Sequence, residues 1–555
     1  MSSDLEIARR IRLAPIEQIA ETAGIPVNCL ERYGKYKAKI DLSVFRDLEK
    51  KEDGKLIIVS AITPTPAGEG KTTVSIGLSM ALNRMGIRTG LTLREPSMGP
   101  LFGIKGGATG GGYAQVLPME DINMHFTGDM HAVTSANNLL SAILDNHIFR
   151  RKSPALDPRR IRWSRAMDMN DRSLRDIIIG LGGHENGMPR EGRFSITASS
   201  EIMAILCLSL SYDELKKRIG DILVGFTYDD EPVYARDLKV EGALAAILRD
   251  ALKPNLVQTA ENTPAFVHGG PFANIAQGTN SIISTKLALK LFGMVVIETG
   301  FGFDLGAEKF FDIVARKAGF CPAGVVLVAT ARALKMHGGV KLSEIRNPDP
   351  AAVERGLPNL ERHLENIGKF GMKAVVAVNR FASDSEDELQ VIKHSAESKG
   401  YRASIIDCWG RGGEGGIELA GMVEDECRAP TCHRFLYPLE MSTEKKIETV
   451  AGEIYGSRAI DFTKQAKSDL AKIKKLGFDH LPVCIAKTQK SLSDNPALLG
   501  RPKDFLITVR EIRIASGAGF TVPVTGDVLL MPGLPEVPIA EKVDLTSDGE
   551  IIGLF

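Results

Sequence analysis

The apolar run Lys55-Leu-Ile-Ile-Val-Ser-Ala-Ile62 breaks at Thr63-Pro-Thr-Pro-Ala-Gly-Glu-Gly-Lys-Thr72, and apolar residues resume at helical spacing at Val74, Leu78, Ala81, Leu82 and Met85 before Gly86. The run predicts a buried strand, the spaced set predicts a helix, and Gly86 is a stop signal. Between them lies a glycine loop ending in Gly70-Lys71-Thr72. Strand, glycine loop and helix in that order form a phosphate-binding unit: backbone N–H groups wrap a phosphate, a lysine reaches the outer phosphates, and a threonine hydroxyl ligates magnesium. Thr65, Gly68, Glu69, Gly70, Lys71, Thr72 and Thr73 are therefore the candidate nucleotide-binding residues, with Thr72 as the candidate metal ligand. Thr65 stands where the first glycine of the usual pattern is expected. An ordinary glycine turn is the alternative reading of the loop.

Outward from this unit, Arg88 to Leu93 predicts a second strand. Further apolar runs follow at Met294-Val-Val-Ile297, Val325-Val-Leu-Val-Ala329, Ala374-Val-Val-Ala-Val378 and Ser404-Ile-Ile-Asp407, several of them separated by helical segments. Such alternation predicts an α/β fold: a P-loop NTPase-like, mostly parallel sheet flanked by helices, with additional smaller α/β domains. Residues 1–115 and 266–365 are expected to form the nucleotide-binding domain. Residues 116–265 are expected as an inserted lobe, and 366–555 as a C-terminal region contributing to a second ligand site. The strand ends share a chemistry: Arg94-Glu95 follows the second strand, Glu298-Thr-Gly-Phe301 another, Thr330-Ala-Arg332 the next, then Asn379-Arg-Phe381 and Cys408-Trp409-Gly410. In a parallel sheet these ends line one edge, the edge where such folds bind ligands.

The 555 residues are 44% hydrophobic, and 69 basic side chains balance 69 acidic ones. That neutrality gives no electrostatic reason to expect nucleic acid or an anionic membrane as partner. The first residues lack the apolar core of a signal peptide and no run approaches a membrane span, so a soluble, cytoplasmic protein is expected. Seven cysteines without a Cys-x-x-Cys pair argue against a disulfide framework, and ten histidines without an HExxH pair argue against a transition-metal centre.

Gly103-Ile-Lys-Gly-Gly-Ala-Thr-Gly-Gly-Gly-Tyr113 places six glycines in eleven positions around Lys105. Glycines relax the backbone so that main-chain N–H groups can converge on a ligand, with Lys105 as cation and Tyr113 as aromatic platform. This segment resembles the first signature of the formate–tetrahydrofolate ligase (formyltetrahydrofolate synthetase) family, monofunctional form, with Thr109 where the family usually has alanine. Val328-Ala-Thr-Ala-Arg-Ala-Leu-Lys-Met-His-Gly-Gly339 resembles the second signature, with Ala331 in place of valine or isoleucine. The phosphate loop resembles that of the family as well, and Thr65 is normal there.

The resemblance implies ATP-dependent condensation of formate with tetrahydrofolate through formyl phosphate, giving 10-formyltetrahydrofolate, ADP and phosphate. It also implies a homotetramer and help from a monovalent cation, potassium or ammonium, for which no residue is nominated. Lys71 and the loop amides are expected to cancel phosphate charge, and Arg94 to fork formate or formyl phosphate. A salt bridge to Glu95 is the plainer role for Arg94. Glu95 and Asp129 resemble acidic groups near the reacting centre, either of which positions N10 or takes its proton. Trp409, with Phe381 or Phe301, is carried over as a platform for the pterin ring; core packing is the alternative for Trp409. An ATP-dependent ligase of another acid and amine, or a switch ATPase, would share the phosphate loop.

Overall fold

The computed structural model describes residues 3–66, 68–103, 108–431, 433–526 and 528–554. Its centre is a twelve-stranded sheet. The parallel strands, in chain order, are β1 (Lys55–Ala61), β2 (Thr89–Leu93), β3 (Pro264–Val267), β4 (Met294–Glu298), β5 (Pro322–Ala329), β6 (Ala374–Asn379) and β7 (Arg402–Ile406). Across the sheet they lie in the order β3-β2-β4-β1-β5-β6-β7, every neighbouring pair parallel. The chain leaves β1 through helix α1 (Lys71–Arg84) and returns at β2, one strand beyond β4. β1 therefore sits centrally, between β4 and β5.

Alternate residues of each strand feed two cores. Leu56 and Ile58 of β1 join Val295, Ile297, Leu327, Val376 and Val378 in one cluster. Ile57, Val59 and Ala61 join Leu91, Leu93, Val296, Val326, Val328 and the α1 residues Val74, Leu78 and Leu82 in the other. Both faces of the strand are apolar because both are covered by helices, which explains why the run 55–62 is unbroken rather than alternating. No helix among the described residues is long and apolar enough to cross a membrane.

The sheet does not follow the expected domain limits. Beyond β3 it continues antiparallel through Asn255–Thr259 and Ala38–Ile40, and Ala114–Leu117 pairs with that edge. Asn255–Thr259 belongs to the span expected as an inserted lobe and β3 straddles its limit at residue 265, while β6 and β7 belong to the span expected as a C-terminal region. Main-chain hydrogen bonds join all of them to one sheet. Smaller units lie outside it, notably the three-stranded sheet containing Ala459–Phe462, Leu506–Ala515 and Phe520–Thr525.

Candidate active site

The loop after β1 is held by Thr330, Arg332 and His337 of the segment 328–339 and by Asn379 at the end of β6. Glu69 is buried, and its carboxylate accepts from the Thr65 N–H at 2.6 Å and from the Thr330 hydroxyl. Thr330 also caps the helix Ala331–His337 by accepting from the Ala333 N–H at 3.1 Å. Arg332 donates to the Gly68 carbonyl, His337 Nε2 donates to the Thr63 carbonyl at 2.9 Å, and Asn379 Nδ2 donates to the Glu69 carbonyl at 3.0 Å. His337 takes the Nε2–H tautomer because its Nδ1 accepts the Gly500 N–H at 3.0 Å. Burial holds its pKa below the ordinary histidine value. These bonds hold Thr63, Gly68 and Glu69 of the loop against the helix Ala331–His337 and the end of β6.

Gly68 and Gly70 take φ of +79° and +71°, the left-handed region, and a Cβ on Gly70 would meet Asn379 Nδ2 at 2.5 Å. Thr65 is absent from the left-handed positions, so nothing in the backbone demands glycine there. The Thr65 hydroxyl is buried without a partner.

Lys71 and Thr72 open α1, where the helix dipole favours an anion. Thr72 Oγ1 donates to Glu298 Oε2 at 2.8 Å, and Arg94 Nη2 meets Glu298 Oε1 at 3.3 Å. Arg94 also donates to the Pro271 carbonyl at 3.4 Å, while its Nε is buried and unpartnered. The arginine therefore pairs with Glu298, from the end of the neighbouring strand β4, rather than with adjacent Glu95. Phe301 follows in the left-handed region at φ +57°, a strained setting for a bulky residue, after a Gly300 whose Cβ would come within 2.9 Å of Arg94 Nη1.

Glu95 and Asp129 form a buried acidic pair with unlike settings. Asp129 Oδ1 lies 2.7 Å from Lys39 Nζ, and its Oδ2 accepts from Asn255 Nδ2 at 2.8 Å. Glu95 keeps one carboxylate oxygen without a partner. Burial pushes its pKa well above the ordinary carboxylate range; the Asp129 charge adds to the rise and Lys39 opposes it.

The aromatic candidates divide. Phe381 lies beside the phosphate loop, its ring under the Arg332 guanidinium at 3.6 Å to the centroid. Trp409 lies on the glycine cluster. Gly77 of α1 admits Cys408, whose Sγ would sit 2.4 Å from a Cβ there, and a Cβ on Gly112 would come 2.0 Å from the Trp409 carbonyl oxygen. The Tyr113 N–H donates to that oxygen at 2.8 Å. Trp409 is 36% exposed and Tyr113 51%, so neither is a core residue. Thr73 follows Thr72 in the first turn of α1 and is half-buried. Lys105 lies outside the described residues.

A family model described as formate–tetrahydrofolate ligase matches residues 2–555. The chain belongs to the formate–tetrahydrofolate ligase family. A relative named formate–tetrahydrofolate ligase, from Symbiobacterium thermophilum, is 55% identical over 556 residues, covering 100% of each chain. Among solved structures, Helicobacter pylori folylpolyglutamate synthetase aligns over 77% of this chain and 74% of its own at 9% identity, with a TM-score of 0.18. A score that low carries no argument about the architecture.

Within this member of the ligase family, the geometry adds residues that the motifs do not nominate. Glu298 is quoted at a strand end, yet only the sheet order, with β4 between β1 and β2, puts its carboxylate on Thr72 and Arg94. Lys39 and Asn255 come from the antiparallel extension and reach Asp129 across 90 and 126 residues of chain. No local sequence pattern signals either contact. Lys335 turns inward, paired with Glu388 at 2.7 Å with both side chains fully buried.

Proposed function

We propose that the protein ligates formate to tetrahydrofolate at the expense of ATP, through formyl phosphate, at the edge formed by the ends of β1, β2, β4, β6 and β7. The observation that carries this reading is the Glu298 carboxylate, which links the phosphate-loop hydroxyl of Thr72 to the Arg94 fork. One hydrogen-bonded chain therefore spans the nucleotide end and the acid end of the reaction. Family membership supplies the substrates.

We read β1, the loop and α1 as a P-loop NTPase-like unit, supported by the central place of β1 and the left-handed Gly68 and Gly70. The loop amides and Lys71 take the phosphates. Thr72 and Glu298 offer hard oxygen donors at hydrogen-bond separation, a set that suits magnesium held by few protein ligands plus substrate phosphates. Magnesium, when bound, spreads the negative charge of the outer phosphates.

Arg94 orients a formate oxygen toward the γ-phosphorus; that oxygen attacks, and ADP leaves. Formyl phosphate remains against Arg94 and Lys71, where charge stabilisation counts most. N10 of tetrahydrofolate then attacks the formyl carbon, phosphate leaves, and the N10 proton passes to a carboxylate. Glu95, with one oxygen unpartnered and its pKa raised by burial, suits proton transfer. Asp129, fixed by Lys39 and Asn255, suits positioning. Trp409 offers the exposed ring face for the pterin, with Phe301 beside Arg94. Phe381, beside Gly70, is nearer the nucleotide. Tyr113 of the glycine cluster offers a further aromatic face to the folate, and Lys105 is assigned to folate binding on the family reading alone. Activation by potassium or ammonium, a homotetrameric assembly and a cytoplasmic setting accompany the family reading.

The test follows ADP release with magnesium and ATP while formate and tetrahydrofolate are added singly and together. ADP formation that needs both, with product convertible by acid to 5,10-methenyltetrahydrofolate, is expected. Turnover indifferent to formate would point to a switch ATPase and overturn the reading. Lys71→Ala should lower kcat by at least about 10²-fold, the scale of one lost charge-stabilising donor; a kcat near that of the parent would remove Lys71 from the mechanism.

A further inference from the structure

The N-terminal helix Asp4–Arg10 reaches the aromatic platform at Trp409. Asp4 Oδ1 accepts from the Trp409 indole Nε1–H at 3.1 Å and from the Gly112 N–H at 2.7 Å. One carboxylate oxygen therefore ties the indole to the glycine cluster on which it lies. A Cβ on Gly111 would come within 3.2 Å of indole Cδ1 and Nε1, and within 2.8 Å of Asp4 Oδ2, so the cluster, the indole and Asp4 meet without spare room. The Trp409 main chain is held separately, by the Tyr113 N–H and by Cys408 against Gly77. Among the described residues, Asp4 is the hydrogen-bond partner that fixes the indole ring itself.

The helix does not depend on this contact for its own docking. Leu5 packs with Leu117 and Met119, Gln115 Nε2 donates to the Asp4 carbonyl at 2.8 Å, and Arg9 pairs with Glu120 at 2.7 Å. A change at the Asp4 carboxylate therefore leaves the helix in place and acts on Trp409 and Gly112. A tryptophan exposed on one side has rotamers open to it, and a hydrogen bond to its only polar atom selects among them. Selecting the rotamer before the ligand arrives lowers the ordering cost of stacking a flat ring on it.

We infer that Asp4 is a positioning residue for the folate ring: it presets the Trp409 indole, and so makes the N-terminal helix part of the substrate site. This rests on the reading of Trp409 as the pterin platform.

The two tryptophans are Trp163 and Trp409, so a Trp163→Phe enzyme reports Trp409 fluorescence alone. In that enzyme, without folate, Asp4→Ala should lower the anisotropy of Trp409 and shift its emission. The KM for tetrahydrofolate should rise about fivefold, the size set by one net hydrogen bond, with kcat unchanged. Asp4→Asn, which keeps an acceptor oxygen, should restore most of both. In a Trp409→Phe enzyme, already raised in KM, Asp4→Ala should add nothing. Unchanged Trp409 emission and anisotropy in Asp4→Ala, or an equal KM rise with and without Trp409, would overturn the inference. An emission response together with a normal KM in Trp409→Phe would instead overturn the folate reading beneath it.

Discussion

Glu298 accepts from a neutral hydroxyl on one oxygen and meets a guanidinium on the other, and the two partners belong to different halves of the chemistry. A carboxylate shared this way resists substitution by an amide of the same shape. Glutamine can still accept from Thr72 or from Arg94, but it brings no charge to a cation at Thr72 and no ion pair to Arg94. Loss of an outer carboxylate of this kind lowers metal affinity or activity by about 10- to 100-fold. Glu298→Gln should therefore raise the magnesium concentration needed for half-maximal turnover within that range and also raise the formate KM. A magnesium titration at saturating ATP checks the first effect. An unaltered magnesium dependence would leave Glu298 as a strut for Arg94 alone.

At the scale of elements, the segment after β4 is a helix with wide i→i+5 turns at Phe303–Ala307 and Phe310–Ala315, and it buries charge. Neither carboxylate oxygen of Glu308 finds a partner, and Asp312 one turn on keeps one oxygen unpartnered. Facing them are Lys309, Asp304, Arg316, Tyr437, Tyr455 and Cys484. Burial pushes Asp312 up to about 7 and Glu308 well above its ordinary value, where the Asp312 charge adds to the rise. Both folded-state values lie above the unfolded ones. Their contribution to stability is therefore complete below about pH 4 and is lost as pH rises through the folded values. Glu308→Gln removes one such titration while keeping shape. Its Tm should approach that of the parent near pH 4.5 and exceed it at pH 8, the gap widening as pH rises. Thermal melts across that range decide it, and parallel profiles would mean that Glu308 is ionised in the folded protein.

For the whole molecule, much of the central layer is legible in the sequence because buried parallel strands leave unbroken apolar runs and α1, buried all round from Val74 to Leu82, leaves apolar residues at helical spacing. The run 55–62, the helix from Lys71 and the strand ends at Arg94, Thr330 and Asn379 all carry such marks. What escapes is non-local. The alternating runs place β6 and β7 in the sheet of β1, but an apolar strand looks the same whichever neighbour it joins, so the order β3-β2-β4-β1-β5-β6-β7 leaves no mark. Lys39, Asn255 and Asp4 are single polar residues whose partners are chosen by strand pairing and helix docking far along the chain. The pairing has a consequence for any division at residue 365. β5 pairs with β1 on one side and with β6 on the other, along Val325 to Ala329. Removing residues 366–555 would strip β5 of its partner and bare the buried Val326, Leu327 and Val328 as an open apolar edge. It would also take Asn379 from the phosphate loop and Cys408 from its seat against Gly77. A fragment of residues 1–365 should therefore aggregate, eluting in the void volume on size-exclusion chromatography. A monodisperse fragment that still binds ATP would show that the nucleotide unit is independent of β6 and β7.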